Sequence, residues 1–193
     1  MSSAPVRLAL AFALAGACSP GSPMAATAPP VTLAGLAGSA GRIFRGVCLK
    51  AEAGTVEVAG ARIAATTYTF EVREYLKGGG GPKVTFRQVG TPGGGPGDLG
   101  RAAGLPVYSP GLEYVIFLLP ESKARLTSPA GASRGALLVK REEVIVPGGL
   151  AGLSSTTPRS GKGETNDGGG TISYRAMRDA VLGSLAGRPA ARP

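Results

Sequence analysis

The sequence contains no histidine. A Ser-His-acid triad needs an imidazole to take the nucleophile's proton near neutral pH, so that chemistry is excluded in its usual form. Most catalytic zinc sites also take histidine ligands and are excluded with it. Only variants with lysine as base, or with cysteine and carboxylate as ligands, survive. Cysteine is almost as scarce: Cys18 and Cys48 are the only two. A bridge between them would need an oxidising compartment and an unmodified Cys18. The apolar strand around Cys48 instead predicts a buried free thiol that behaves as a small hydrophobe. Clustered charge is missing too. Lysine and arginine number 21 against 12 acidic residues, for a net charge of +9, yet no five-residue window is strongly basic. Nucleic-acid binders usually gather such charge into a stripe, so a solvated basic surface is expected and nucleic acid is not the expected partner.

What is abundant is glycine (32) and proline (16), within a chain that is still 43% hydrophobic. Glycine clusters at 78–81, 90–104, 147–152 and 161–170. The uneven placement leaves enough apolar sequence for one modest core.

The opening residues "MSSAPVRLALAFALAGAC" place one positive side chain, Arg7, before an apolar stretch from Leu8 to Ala15 and then small residues. This is the layout of a secretory signal peptide. The apolar run is too short for a permanent bilayer-spanning helix. Two cleavage routes stay open. Ala15-Gly16-Ala17 before Cys18 resembles a lipoprotein signal, with Cys18 the acylated residue, although Leu14 lies four rather than three residues before the cysteine. Alternatively, a cut near Ala25 or Ala26 releases a soluble protein. Either way the expected location is secreted, outer-envelope or periplasmic, with a membrane reached only through lipid at Cys18.

From Gly41 the period turns to two. Ile43, Arg45, Val47 and Leu49 share one parity; Phe44, Gly46 and Cys48 share the other. Gly46 removes a side chain where a curving sheet would bend. "GTVEVAG" reads as a short second strand, and "ATTYTFEVREYLK" as the clearest one, with Tyr68, Phe70 and Val72 on one side. "PKVTFRQVG" follows. The six-residue apolar run in "EYVIFLLP" predicts a strand covered on both faces. "GALLVK" and "EEVIVP" are joined by a tight turn near Lys140–Glu142. "TISYRAMRDAVLGSLAG" then changes to helical spacing through Tyr174, Met177, Val181 and Leu185. Ser173 is placed to cap it, Ile172 and Met177 to staple it, and Gly187 to end it. "KGGGGP" is short enough for a hairpin turn. The aperiodic stretch from Gly90 to Gly111 reads as a disordered loop.

No motif survives as a catalytic, cofactor or metal site. "GASRG" at 131–135 fits G-x-S-x-G, but a strand follows it rather than a helix, and no histidine exists to activate Ser133. "SGKGE" around Lys162 has Thr156 and Gly163 where a phosphate loop needs glycine and Ser/Thr. "TNDGGG" lacks the alternating acids of a calcium loop. The carboxylates Glu71/Glu74, Glu142/Glu143 and Glu164/Asp167 read as ordinary surface charge.

"TTYTFEVREYLKG", then "VTFRQVG", then "GLPVYSPGLEYVIFL" carry a resemblance. Together with Arg42–Leu49 they resemble the OB-fold barrel of tissue inhibitors of metalloproteinases and netrin-like domains, in the form found in secreted bacterial proteins. The resemblance implies that Thr66–Gly78 is a barrel stave and that Lys77-Gly78 marks its turn. It does not bring the inhibitory chemistry. In that family the amine of an N-terminal cysteine, held by disulfides, chelates the protease zinc. Here the disulfide framework is missing, and acylation would block the amine of Cys18.

The expected protein is mainly β, a small OB-like barrel of five to seven strands with one C-terminal amphipathic helix. Its expected divisions are a signal peptide at 1–17, a disordered tether at 18–40, the barrel at 41–146, a Gly/Pro-rich linker at 147–170, the helix at 171–187 and a tail at 188–193. The helix is expected to cover an open end of the barrel. The expected function is a non-catalytic binding module of the cell envelope, needing no cofactor or metal, whose partner is another protein or an envelope component. The alternatives are a protease inhibitor acting through the barrel rim and the 90–110 loop, and a single-strand nucleic-acid binder using Phe70 and Phe86.

Overall fold

The computed structural model describes residues 31–153, 157–158 and 169–187. Within them the chain is mainly β with a C-terminal helix. The elements run β1 (Val31–Thr32), α1 (Leu33–Ser39), β2 (Arg42–Val58), β3 (Ala61–Lys77), β4 (Lys83–Val89), α2 (Leu99–Ala102) and β5 (Glu113–Leu118). They continue through a 3-10 turn at Ala132–Gly135, β6 (Ala136–Lys140), β7 (Glu143–Val146), β8 (Leu150–Ala151), β9 (Thr157–Pro158), β10 (Gly170–Ser173) and α3 (Tyr174–Leu185). One eight-stranded sheet has the order β4-β3-β2-β5-β6-β7-β10-β9, and β1 pairs in parallel with β8.

The stretch expected as two strands, 42–53 and 54–60, is the single 17-residue β2 followed by its turn. Gly54 does not break it, because its backbone stays in register opposite Ala65. The connection from β2 to β3 is a two-residue turn in which both Ala59 and Gly60 have positive φ. That backbone sign matches the twist of a tight hairpin. "KGGGGP" likewise turns β3 into β4, with Gly78 at positive φ and Val72 N–H donating to the Pro82 carbonyl at 2.8 Å. Three consecutive hairpin strands, β2-β3-β4, are therefore followed by a fourth, β5, that returns by a long connection to lie beside the first. This is Greek-key connectivity.

β2 and β3 are long, and their pairing is irregular in the first half of β2. Their register slips between Ile43 and Phe44, between Arg45 and Gly46, and between Cys48 and Lys50. Each slip leaves an extra residue and increases the local bend. At the middle slip the strands come very close: a Cβ on Gly46 would lie 2.7 Å from the Glu71 carbonyl oxygen. The expectation that Gly46 marks a bend is met, and the reason is backbone proximity.

The bent sheet has a core on each side. On the first, Phe44, Tyr68, Phe70, Phe86, Tyr114, Ile116 and Leu118 pack around Tyr108. On the second, Ile43, Leu76, Val115, Phe117, Leu137 and Val144 pack against α1 and α3. β5 alternates between the two cores with every residue from Tyr114 to Leu118 buried, which is why its sequence is one unbroken apolar run.

Two boundaries differ from expectation. Residues 31–39, assigned to the tether, form β1 and α1, and α1 buries Leu33, Leu36 and Ala37 in the second core. Spaced by small residues, these three carry too little periodicity to stand out, but they close the apolar face of α3. Residues 170–173, assigned to the linker and the start of the helix, are β10, paired with β7. The helix begins at Tyr174, where the Ser173 hydroxyl accepts from Ala176 N–H at 3.2 Å. It packs against α1, β3, β7 and β10, burying Tyr174, Met177 and Val181. Each of these side chains contributes about 1.5–3 kcal/mol by leaving water.

No pairing joins the two edge strands of the sheet among the described residues. The segment after β5 nevertheless spans toward β4: Leu119 N–H donates to Ser128, Ala130 N–H donates to Phe117, and Thr127 N–H donates to the Arg87 carbonyl of β4 at 2.8 Å.

The close approach at Gly46 predicts that Gly46→Ala forces β2 and β3 apart. Denaturant unfolding should show a loss of about 1–3 kcal/mol, against a much smaller change for Gly54→Ala, whose added Cβ would meet nothing nearer than 3.8 Å.

Candidate functional site

Two groups of side chains stand out: a charged cluster under α3 and an anchored loop with exposed apolar residues.

The charged cluster is built by parity. Arg45 shares its face of β2 with Ile43, so its guanidinium points toward the helix-covered core. An arginine there must be paired, because an uncompensated buried charge is expensive. Its Nε and Nη2 donate to Glu113 at 2.8 and 3.1 Å, and its Nη1 donates to Glu142 at 2.9 Å. The guanidinium also lies 4.1 Å from the centre of the Tyr174 ring, a cation–π arrangement. Tyr174 Oη donates to Glu74 at 2.7 Å, and Arg178 Nε donates to the same carboxylate at 2.6 Å. One network thus ties β2, β3, β5, the β6–β7 turn and α3.

These contacts shift the proton equilibria in consistent directions. Hydrogen bonds to Glu142 and then Glu113 hold Arg45 charged far beyond the usual guanidinium range. The Arg45 hydrogen bond lowers the Glu142 carboxyl. Burial pushes Glu74 upward, but Arg178, Tyr174 and the charge of Arg45 together outweigh it and hold it below the usual carboxylate range. Burial, then the Glu74 contact, raises Tyr174. Each acid in the cluster is committed to an arginine, and the described residues contain no group of three or more metal-ligating side chains. The arrangement is a clamp. It also restrains the β6–β7 turn, where Arg141 and Glu142 both have positive φ without being glycine. That conformation costs about 1–2 kcal/mol per residue. It is held by the Arg45–Glu142 contact and by Tyr174 N–H donating to the Glu142 carbonyl at 2.7 Å.

The second group is the connection from β4 to β5. Expected as disordered, it is fastened along its length. Gly90 N–H donates to Ala64, and the Thr66 hydroxyl donates to the Gly90 carbonyl at 2.7 Å. The Asp98 carboxylate accepts from Arg101 N–H at the start of α2 and also from Thr91 N–H. Those two backbone contacts lower its pKa. Gln88 Nε2 donates to Pro106 at 2.8 Å. Ser133 N–H donates to Gly104 at 3.1 Å, and Cys48 exchanges backbone hydrogen bonds with Gly111 and Leu112. The main peg is Tyr108, whose ring enters the first core edge-on to Tyr68, Phe70, Phe86 and Tyr114 at 4.8–5.9 Å between centres. Sequence periodicity cannot reveal such a peg, because one inserted tyrosine has no period.

Fastening the loop leaves apolar side chains outside. Leu99 (55% exposed), Val107, Leu112 and the adjoining β2 residue Leu49 make up four of the five exposed large hydrophobics among the described residues. Leu49 is the unpaired residue at a register slip, directly after the Cys48 that bonds to Leu112.

Cys18 lies outside the described residues, as do Lys162, Glu164 and Asp167. Cys48 is a free, buried thiol, pushed up by burial. Ser133 sits in the 3-10 turn leading into β6. Glu71 pairs with Arg73 at 3.2 Å, as surface charge does. Glu74 and Glu142 are the exceptions, being members of the clamp. The signal that could have found them is Arg45 itself, a charge on an apolar stripe. Compared with family models, with curated proteins and with solved structures, the chain matches none.

Replacing Arg45 by methionine leaves Glu113 without its partner. Stability should fall by about 2–3 kcal/mol, below the range for a fully buried pair because the carboxylates are partly exposed. Adding Glu113→Gln should recover part of the loss in a double-mutant cycle. Glu74 and Glu142 have lowered folded-state values, so their contribution is present above the unfolded carboxyl value near ~4.3 and is lost as pH falls below it. Glu74→Gln should flatten the acid limb of stability measured against pH.

Proposed function

We propose that the chain is a non-catalytic binding module of the cell envelope, secreted or lipid-anchored, built on an OB-like barrel that meets a protein partner through the 99–112 loop and Leu49. The observation that carries this reading is a loop pegged by Tyr108 yet presenting Leu99, Val107 and Leu112 to solvent. Apolar side chains held at the surface of a fixed loop are what an interface uses, and Leu112 and Leu49 are brought together by the Cys48–Leu112 backbone hydrogen bond. The Greek-key order and the Thr127–Arg87 hydrogen bond that spans toward β4 support the barrel reading, since an OB barrel is a partly open Greek key. The aromatic interior is filled, which favours contact at the surface over an enclosed small ligand.

The protease-inhibitor alternative uses the same loop and is favoured by the same residues. The nucleic-acid alternative is favoured less. Base stacking needs exposed rings, and Phe70 and Phe86 are 0% and 3% exposed.

A photoreactive side chain at Val107, in cells that make the protein, should yield a discrete cross-linked protein adduct, and one at Lys140 should not. Equal labelling from both positions, or none from either, would overturn the loop as the contact surface. A metalloprotease within the adduct would select the inhibitor alternative. Intact mass of the protein from membrane and medium fractions reports the cleavage site and any acyl group at Cys18.

A further inference from the structure

β2 pairs with β5 only through Arg42–Val47, and β3 pairs with β4 only through Ala65–Glu71. Beyond those limits β2 is an edge strand: from Lys50 to Gly54 it flanks β3 where β3 still pairs with β4, and only Thr55–Val58 with Ala61–Ala64 stand as a two-stranded tip. The β2–β3 ladder runs from Lys50/Thr69 to Val58/Ala61 without a register slip. In a two-residue hairpin the closing pair, Val58 and Ala61, exchanges hydrogen bonds, and such pairs then alternate. The main-chain groups of Ala51, Ala53, Thr55 and Glu57 therefore face away from β3. The same counting turns Ala64 outward on the other strand, and its carbonyl indeed accepts from Gly90. No described segment hydrogen-bonds to the outer edge of β2 beyond Cys48.

Between Lys50 and Val58 this edge has no proline and no bulge, and its charges are Lys50, Glu52 and Glu57. An edge so regular is a template for another strand. We infer that it is a self-association surface, on which the same strand of a second copy pairs antiparallel about a two-fold axis at Gly54. An antiparallel edge is self-complementary, as an isologous contact requires. This register alone lets all four outward residues on each copy exchange hydrogen bonds, Ala53 with Thr55 and Ala51 with Glu57. It sets Glu52 opposite Val56, Lys50 opposite Val58 and Glu57 opposite Ala51, so no like charges face each other. The alanines, Gly54 and Thr55 are short enough to let the two backbones meet.

Sedimentation of the purified protein at about 0.1 mM, where even a weak contact populates the complex, should show a dimer. Thr55→Pro deletes one outward N–H without touching the β2–β3 ladder, so it should give a monomer with unchanged melting temperature. If that variant misfolds, Ala53→Lys with Thr55→Lys keeps every main-chain group and places four cations about the axis. It should also give a monomer. With Cys18→Ser, Gly54→Cys should oxidise to a covalent dimer, because facing residues of a non-hydrogen-bonded pair lie about 4.5 Å apart, within disulfide reach; Glu57→Cys should not. A monomeric wild type, or a dimer that survives the edge variants, overturns the inference.

Discussion

The interaction on which the rest depends is the near-contact of the Gly46 backbone with the Glu71 carbonyl. It allows β2 and β3 to pair closely through a register slip, while the alternation of side chains along each strand divides the apolar residues between two cores. Phe44 and Ile43 are adjacent in sequence and fully buried, yet they serve opposite sides. The second side is kept from water by α1 and α3, which lie against it. Parity places Arg45, the residue next to Gly46, on the α3 side, so the clamp sits beside the same close approach.

The clamp shows how a charge is carried on an apolar face. Desolvating Arg45 opposes folding, and two carboxylates and an aromatic ring offset it. Such a network adds little stability compared with a hydrophobic replacement of the same shape. Its value here is geometric. It fixes where α3 sits and holds a turn whose backbone would otherwise relax. Perturbed acids are often taken as signs of catalysis. Here the perturbing partners account for them without any reacting group.

Much of this architecture was legible. Alternation located the strands because one residue in two must face a core, and the unbroken run at β5 correctly announced burial on both faces. Ser173 and Gly187 bounded α3 as capping chemistry requires. Other features were hidden for physical reasons. α1 is short and rich in small residues, so it acquires its helix from tertiary packing rather than from pattern. Gly54 looked like a strand end, yet glycine in a ladder is tolerated when the partner strand supplies the register. The loop from Gly90 to Gly111 looked disordered because composition reports backbone freedom, while its order comes from one tyrosine, one aspartate and backbone hydrogen bonds to distant residues. The clamp was half visible: Arg45 lay on the wrong stripe for a charge, but nothing local named its partners.

Tyr108 has a thermodynamic consequence beyond holding the loop. Its ring is wholly enclosed while its hydroxyl finds no partner among the described residues, so the peg costs some free energy that a phenylalanine would not. In return, the loop is immobilised when the chain folds. A partner of the interface proposed at Leu99, Val107 and Leu112 would meet side chains whose backbone entropy was surrendered earlier, and the association itself would bear less of that penalty.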